Sequence, residues 1–207
     1  MRIGIIGTGN IGGTLTRRLT ALGHDVAIAN SRGPQSLEGL AGETGATAAE
    51  PATAAQDADM VIVAVPLKAV PALPAEALAG RLVVDTGNYY PGRDGEIGPI
   101  EGGTASSRWL AEHLPGADVV KAFNTIQWSH LLEGGRPAGD PERIALPVAG
   151  DDAAAKQRVL ELVDALGFDP VDAGPLDESW RQEPGAPVYG ADLGAAATSD
   201  ALAAASR

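Results

Sequence analysis

Residues 2–12 read RIGIIGTGNIG, a short β-branched run that breaks into spaced glycines and then into a helical pattern. Gly7, Gly9 and Gly12 form G-x-G-x-x-G, with Thr8, Asn10 and Ile11 between them. Gly7 permits a tight turn, Gly9 lets a diphosphate approach the backbone, and Gly12 lets the helix pack against the strand. The helix start adds free N–H groups and positive potential. Strand before and helix after is the context that turns a glycine-rich turn into a dinucleotide cradle.

The rest of the chain alternates in the same way. Arg2–Gly7, Asp25–Asn30, Met60–Val65, Arg81–Asp85, Asp118–Phe123 and Ala145–Ala149 read as short strands, with Ala46–Ala49 a weaker candidate for the third. Their near-continuous apolar runs are those of parallel strands covered on both faces. Asn10–Leu22 sets Ile11, Leu15, Leu19 and Leu22 on one helical face and ends at Gly23. Ala153–Leu166 repeats the pattern and stops at Gly167. The expected fold class is α/β, a Rossmann-type doubly wound parallel sheet with a small C-terminal α/β extension. Two segments break the rhythm. Residues 88–103 (NYYPGRDGEIGPIEGG) predict a lid, a binding loop or a disordered stretch. Residues 191–207 are Ala-rich and fit either a packed helix or a frayed tail.

The second strand settles the nucleotide expected. An NAD site places an acid at its end to take both ribose hydroxyls, yet no acid occurs between Val26 and Leu37. Asn30, Ser31 and Arg32 stand there instead. A hydroxyl and a guanidinium fork suit the dianionic 2′-phosphate of NADP(H), which a carboxylate would repel.

Chemistry is expected at the carboxyl ends of strands four to six: Val65, Pro66 and Leu67; Asp85 to Asn88; Asn124, Thr125 and Ile126. No Ser–His–acid set and no His–Glu metal pair occurs there. His24, His113 and His130 are dispersed, and only His130 falls near this rim, where a surface or capping role is favoured. Asp85 reads as a turn-fixing residue before it reads as a base. Tyr89, Tyr90, Trp128 and Trp180 fit ring stacking or loop anchoring equally. No catalytic acid or base is assigned and no metal is expected. Such a site suits direct hydride transfer between two bound cofactors.

The formal net charge of −12 argues against nucleic-acid or membrane-surface partners. The absence of cysteine excludes thiol chemistry and disulfides. With no leader pattern and no apolar run of about 18–20 residues, a cytoplasmic location is expected.

Taken together, GTGNIG at 7–12, NSRGP at 30–34, VAVPL at 63–67, VVKAFNTI at 119–126 and VDAGPL at 171–176 resemble the F420-dependent NADP oxidoreductase family, from Met1 to about Gly190. The resemblance implies residues 1–123 as the NADP-binding Rossmann domain. Residues 124–190 become a small part completing a second cleft, and 191–207 a tail. It implies that Thr8, Asn10 and Ile11 line the pyrophosphate, Ser31 and Arg32 the 2′-phosphate, and Val65 and Pro66 the nicotinamide. Asn124, Thr125 and Ile126, with Gly174, Pro175 and Leu176, would face the second ring, coenzyme F420. Asn88 belongs to that second group by position. Some members carry His where this chain has Asn124. A homodimer is implied too. The competing readings are an NADPH-dependent reductase of a flavin or of a small carbonyl or imine compound, and a non-catalytic NADP(H)-sensing module.

Overall fold

The structure is a computed structural model describing residues 1–207. Eight strands form one sheet in the order β3-β2-β1-β4-β5-β6-β7-β8. They are β1 (Arg2–Ile6), β2 (Asp25–Ala29), β3 (Thr47–Ala48), β4 (Met60–Val63), β5 (Leu82–Asp85), β6 (Asp118–Lys121), β7 (Ala145–Gly150) and β8 (Asp169–Asp172). The first six pair in parallel. This is the expected α/β Rossmann-type architecture.

Side chains alternate across the pleat, so each strand feeds two cores. On one face Ile3, Ile5, Met60, Ile62, Leu82, Val84 and Val120 pack together. Helices α1 (Asn10–Ala21), α8 (Trp128–Glu133) and α9 (Ala153–Ala165) cover them with Leu15, Leu19, Leu131, Val159 and Val163. Alongside α1 lies α2 (Glu38–Thr44). On the other face Ile6, Val61, Val63, Val83 and Val119 meet α3 (Pro51–Ala55), α4 (Ala75–Leu78) and α7 (Ser106–Glu112). The predicted stops hold: Gly23 and Gly167 follow α1 and α9 with φ of 80° and 87°.

Three expectations change. β7 runs antiparallel to β6, pairing Gly150 with Val120 and Ala149 with Lys121, so the sheet is not wholly parallel. β8, which no sequence signal marked, pairs in parallel with β7 and reverses with it. The stretch after Asn88 is ordered into two short turns, α5 (Pro91–Asp94) and α6 (Gly98–Glu101). Tyr89 ties them down: its hydroxyl accepts from Ile97 N–H at 3.1 Å and lies 2.8 Å from the Glu101 carboxylate. The Ala-rich end forms α10 (Ala195–Ala204), packed on the outer strands through Leu202 against Ala145 and Val171. No helix is long and apolar enough to cross a membrane.

The three glycines of the first turn have separate duties. A Cβ on Gly12 would sit 1.8 Å from the Gly7 carbonyl oxygen, whereas one on Gly9 would meet nothing within 4 Å. Gly12→Ala is therefore expected to lower stability by about 3 kcal/mol in urea denaturation, the upper range for overpacking. Gly9→Ala should stay within about 1 kcal/mol, because position 9 is a helix cap with open space before it.

Candidate functional site

The strand order reverses between β1 and β4, and a crevice opens outside their carboxyl ends, as the topology requires. Gly7 makes the turn at φ 102°. Gly9 is the N-cap of α1, and no side chain caps that end. The first ladder bond into the helix is Gly13 N–H to Gly9 carbonyl, so the first-turn amides keep their donors and the dipole for an anion. No acidic residue occurs in that turn.

One cavity, of about 340 Å³, lies on the β2 side and is lined by Gly7, Thr8, Gly9, Asn30, Ser31 and Arg32, with Val65 and Pro66. Asn30 is largely buried and builds this wall. Its Oδ1 accepts the Arg32 N–H at 2.8 Å, and its Nδ2 donates to Ser36 Oγ at 2.9 Å. That turn leaves Ser31 and Arg32 exposed. Nine other lysine and arginine side chains pair with acids, but no ion pair involves Arg32. A free guanidinium beside an acid-free turn fits an added phosphate.

A second cavity, of about 450 Å³, adjoins the first and shares Gly9, Ala64, Val65 and Pro66 with it. Asn10, Ile11, Asn88, Asn124 and Ile126 line it; Asn10 and Ile11, expected at the pyrophosphate, face this cavity and not the first. Tyr90, Arg93, Phe123, Gln127, Trp128 and Tyr189 complete it. Phe123 has a φ of 62°, an unusual value for a bulky side chain, at the bend where the chain leaves β6 for the rim. Trp128 is 43% exposed at the mouth. Tyr90 and Tyr189 join hydroxyl to hydroxyl across it. Burial, and then the Tyr90 hydroxyl, push the Tyr189 phenol up to about 12. Burial would raise the Asp94 carboxyl as well, but the Arg93 fork and the Tyr90 and Lys68 N–H groups hold it below its ordinary value.

Several expected residues lie elsewhere. Leu67 is fully buried in the second core. Thr125 is buried, and its carbonyl accepts the Gly190 N–H. Gly174, Pro175 and Leu176 do not reach the cleft, because β8 runs against β6 and its carboxyl end points away from the rim. There the Gly174 carbonyl accepts from Gly150, and Leu176 N–H donates to Asp151 at 2.9 Å. Gly12 serves packing. His130 pairs with Asp192 at the surface. Tyr189 carried no sequence signal, since its partner Tyr90 lies 99 residues away. Trp180 stacks between Arg181 and Arg207 outside the cleft.

Beneath the cleft sits Lys121, with no solvent exposure. Asp85 and Lys121 are cross-strand partners on β5 and β6. The Lys121 Nζ lies 3.1 Å from Asp85 Oδ2 and also donates to the Gly87 carbonyl. Asp85 takes the Ser107 hydroxyl at 2.6 Å and the Gly87 N–H at 2.8 Å. Asp85 is therefore committed to the 86–88 turn and is not a free base.

Comparison with known proteins places these features in context. The family described as NADP oxidoreductase, coenzyme F420-dependent, matches residues 2–89. A hypothetical protein from Sinorhizobium meliloti is 36% identical, with a TM-score of 0.80, over 93% of this chain and 95% of that one. A protein from Arthrobacter sp. FB24, provisionally named an F420-dependent NADP-reductase, is 30% identical with a TM-score of 0.73, over 87% of each chain. Metalloreductase STEAP3 of Rattus norvegicus is 32% identical over 84% of this chain, which spans 34% of that protein. The chain spans between a third and a half of the first curated relatives it matches.

Lys121→Met would strand the Asp85 carboxylate in a dry core and should cost about 3–5 kcal/mol in chemical denaturation. Adding Asp85→Asn to the same chain removes the orphaned charge and should restore more than about 1 kcal/mol.

Proposed function

The chain belongs to the coenzyme F420-dependent NADP oxidoreductase family, and from that membership and the cleft's geometry we propose that it is an NADP(H)-dependent oxidoreductase passing hydride between NADPH and the deazaflavin coenzyme F420. The observation that carries this reading is the pair of adjoining cavities with a common wall at Gly9, Ala64, Val65 and Pro66. One cavity has the chemistry of a phosphorylated nucleotide, and the other has room and aromatic walls for a second ring.

In this reading the α1 amides and the open space before Gly9 hold the pyrophosphate. Ser31 and the Arg32 fork hold the 2′-phosphate, which explains why Arg32 has no acidic partner. Val65 and Pro66 border the nicotinamide. When bound, NADPH supplies a hydride, and the acceptor ring takes it together with one proton from solvent. The chain contributes alignment and a dry wall. Phe123, Ile126 and Trp128 give apolar surface against a planar ring, and Asn88 and Asn124 give polar contacts that carry no charge. No side chain is required to abstract a proton. The two cofactor-facing segments, 7–12 and 124–126, follow strands of one rigid sheet, which suits close control of ring separation.

The phenols of Tyr90 and Tyr189 favour one second reading, reduction of a small carbonyl or imine with a hydroxyl donating the proton. The volume of the second cavity, about 450 Å³, disfavours a bare nucleotide sensor, which needs no room beside the pyridine ring.

Two measurements test this. Arg32→Ala should weaken NADPH binding about ten- to hundredfold by calorimetry, the worth of one charge-assisted hydrogen bond. NADH binding should move by less than about threefold, within an order of magnitude of unity. Equal losses would remove the 2′-phosphate contact. NADPH oxidation should also be followed with F420, FMN, FAD, a cyclic imine or no acceptor. Turnover with F420 is expected. Turnover with flavin or imine alone would replace the deazaflavin, and tight NADPH binding without any turnover would point to the sensor.

A further inference from the structure

Behind the cleft wall three carboxamides interlock. Asn124 Nδ2 donates to Asn88 Oδ1 at 3.0 Å and to the Gln182 carbonyl at 2.6 Å. Gln182 Nε2 donates to Asn124 Oδ1 at 2.9 Å and lies 3.4 Å from the Pro147 carbonyl. Asn88 Nδ2 donates to the Asn124 carbonyl at 2.9 Å.

Each amide nitrogen thus faces a backbone carbonyl, which can only accept, so the orientation of all three groups is determined. The remaining capacity can be counted. Both hydrogens of Asn124 Nδ2 are used, and its Oδ1 keeps one free lone pair. Asn88 keeps one free N–H. Gln182 is fully buried, and its Oε1 has no partner. A buried amide left half satisfied costs stability, and such a group in a native fold calls for an explanation.

We propose that Gln182 is a positioning residue that locks Asn124 as an obligate hydrogen-bond acceptor, so that the Asn88–Asn124 wall selects a redox acceptor whose ring edge carries an N–H beside a C=O, a lactam or imide. This rests on the hydride-transfer reading above and names the chemistry its second cavity prefers. Gln182 lies 58 residues from Asn124 and does not line the cleft, so it acts there only through that side chain. Charged groups around the network have partners of their own: Arg93 with Asp94, Lys121 with Asp85, and Arg181 with Glu178. Glu183 accepts the Ser106 N–H. The nicotinamide carboxamide has the same N–H and C=O pair, so the test separates the two sources.

Gln182→Glu supplies the test. A protonated carboxyl at 182 can still donate to Asn124 Oδ1, and an ionised one cannot. Burial raises a carboxyl above its usual value near about 4.3. In the variant, KM for a lactam-bearing acceptor should match wild type at low pH and rise about tenfold as the new carboxyl ionises, the effect of one unmade hydrogen bond. Kd for NADPH should follow wild type at every pH. An acceptor KM that tracks wild type throughout would overturn the proposal, and so would a parallel loss of NADPH affinity.

Wild-type protein gives a measurement that needs neither variant nor turnover. By side-chain amide NMR, both Asn124 Nδ2 protons should exchange slowly with solvent, and one Asn88 proton fast. Rapid exchange of both Asn124 protons would defeat the lock. If no acceptor turns over but the exchange pattern holds, the hydride-transfer reading fails while the lock stands.

Discussion

A lysine with no access to water can stay in a protein only if an opposite charge and further acceptors meet it, and much of this fold is arranged around doing so for Lys121. Asp85 faces it across two central strands, Ser106 and Ser107 approach from α7, and the Gly87 carbonyl closes the set. Through Gly87 the pair fixes the turn that carries Asn88, and Asn88 engages Asn124 on the neighbouring strand end. A helix on one face of the sheet, two strands and the cleft rim therefore share one anchor. Replacing the pair by apolar residues of equal volume need not weaken such a core, so what the charges add here is a defined shape for the turn above them.

Sequence reasoning succeeded where the information is local. The first turn announces itself because its glycines, strand and helix are contiguous, and Gly12 lies against Gly7 as the motif requires. Gly23 and Gly167 end their helices because a positive φ is needed at the very next residue. Ser31 and Arg32, a few positions past β2, stand exposed on the wall they share with the glycine turn. What was unreadable is long-range. An apolar run such as Ala145–Gly150 looks the same whichever way the strand points, and the antiparallel choice sent the DAGPL segment to the far edge. Strand β8 carries Pro170 and two aspartates at its ends, which hide it from any test of periodicity.

The two halves of the cleft differ for the same reason. The cavity on the β2 side is made of residues 6–74, most of them in the turns that follow β1, β2 and β4. The second cavity brings in Tyr90, Trp128 and Tyr189, with Gln182 behind Asn124, from segments far apart in the chain. Those residues can change without disturbing the phosphate cradle.

The hydroxyl bridge between Tyr90 and Tyr189 closes a loop of the chain around one wall of the cleft. It joins the turn after Asn88 to the segment that precedes the last helix, and both residues line the cleft. Burial and the Tyr90 hydroxyl together push the Tyr189 phenol up to about 12, which keeps its proton in the bridge. The two phenols therefore tie residues 99 positions apart into one wall of the cleft, so the shape of that wall depends on both segments staying in register.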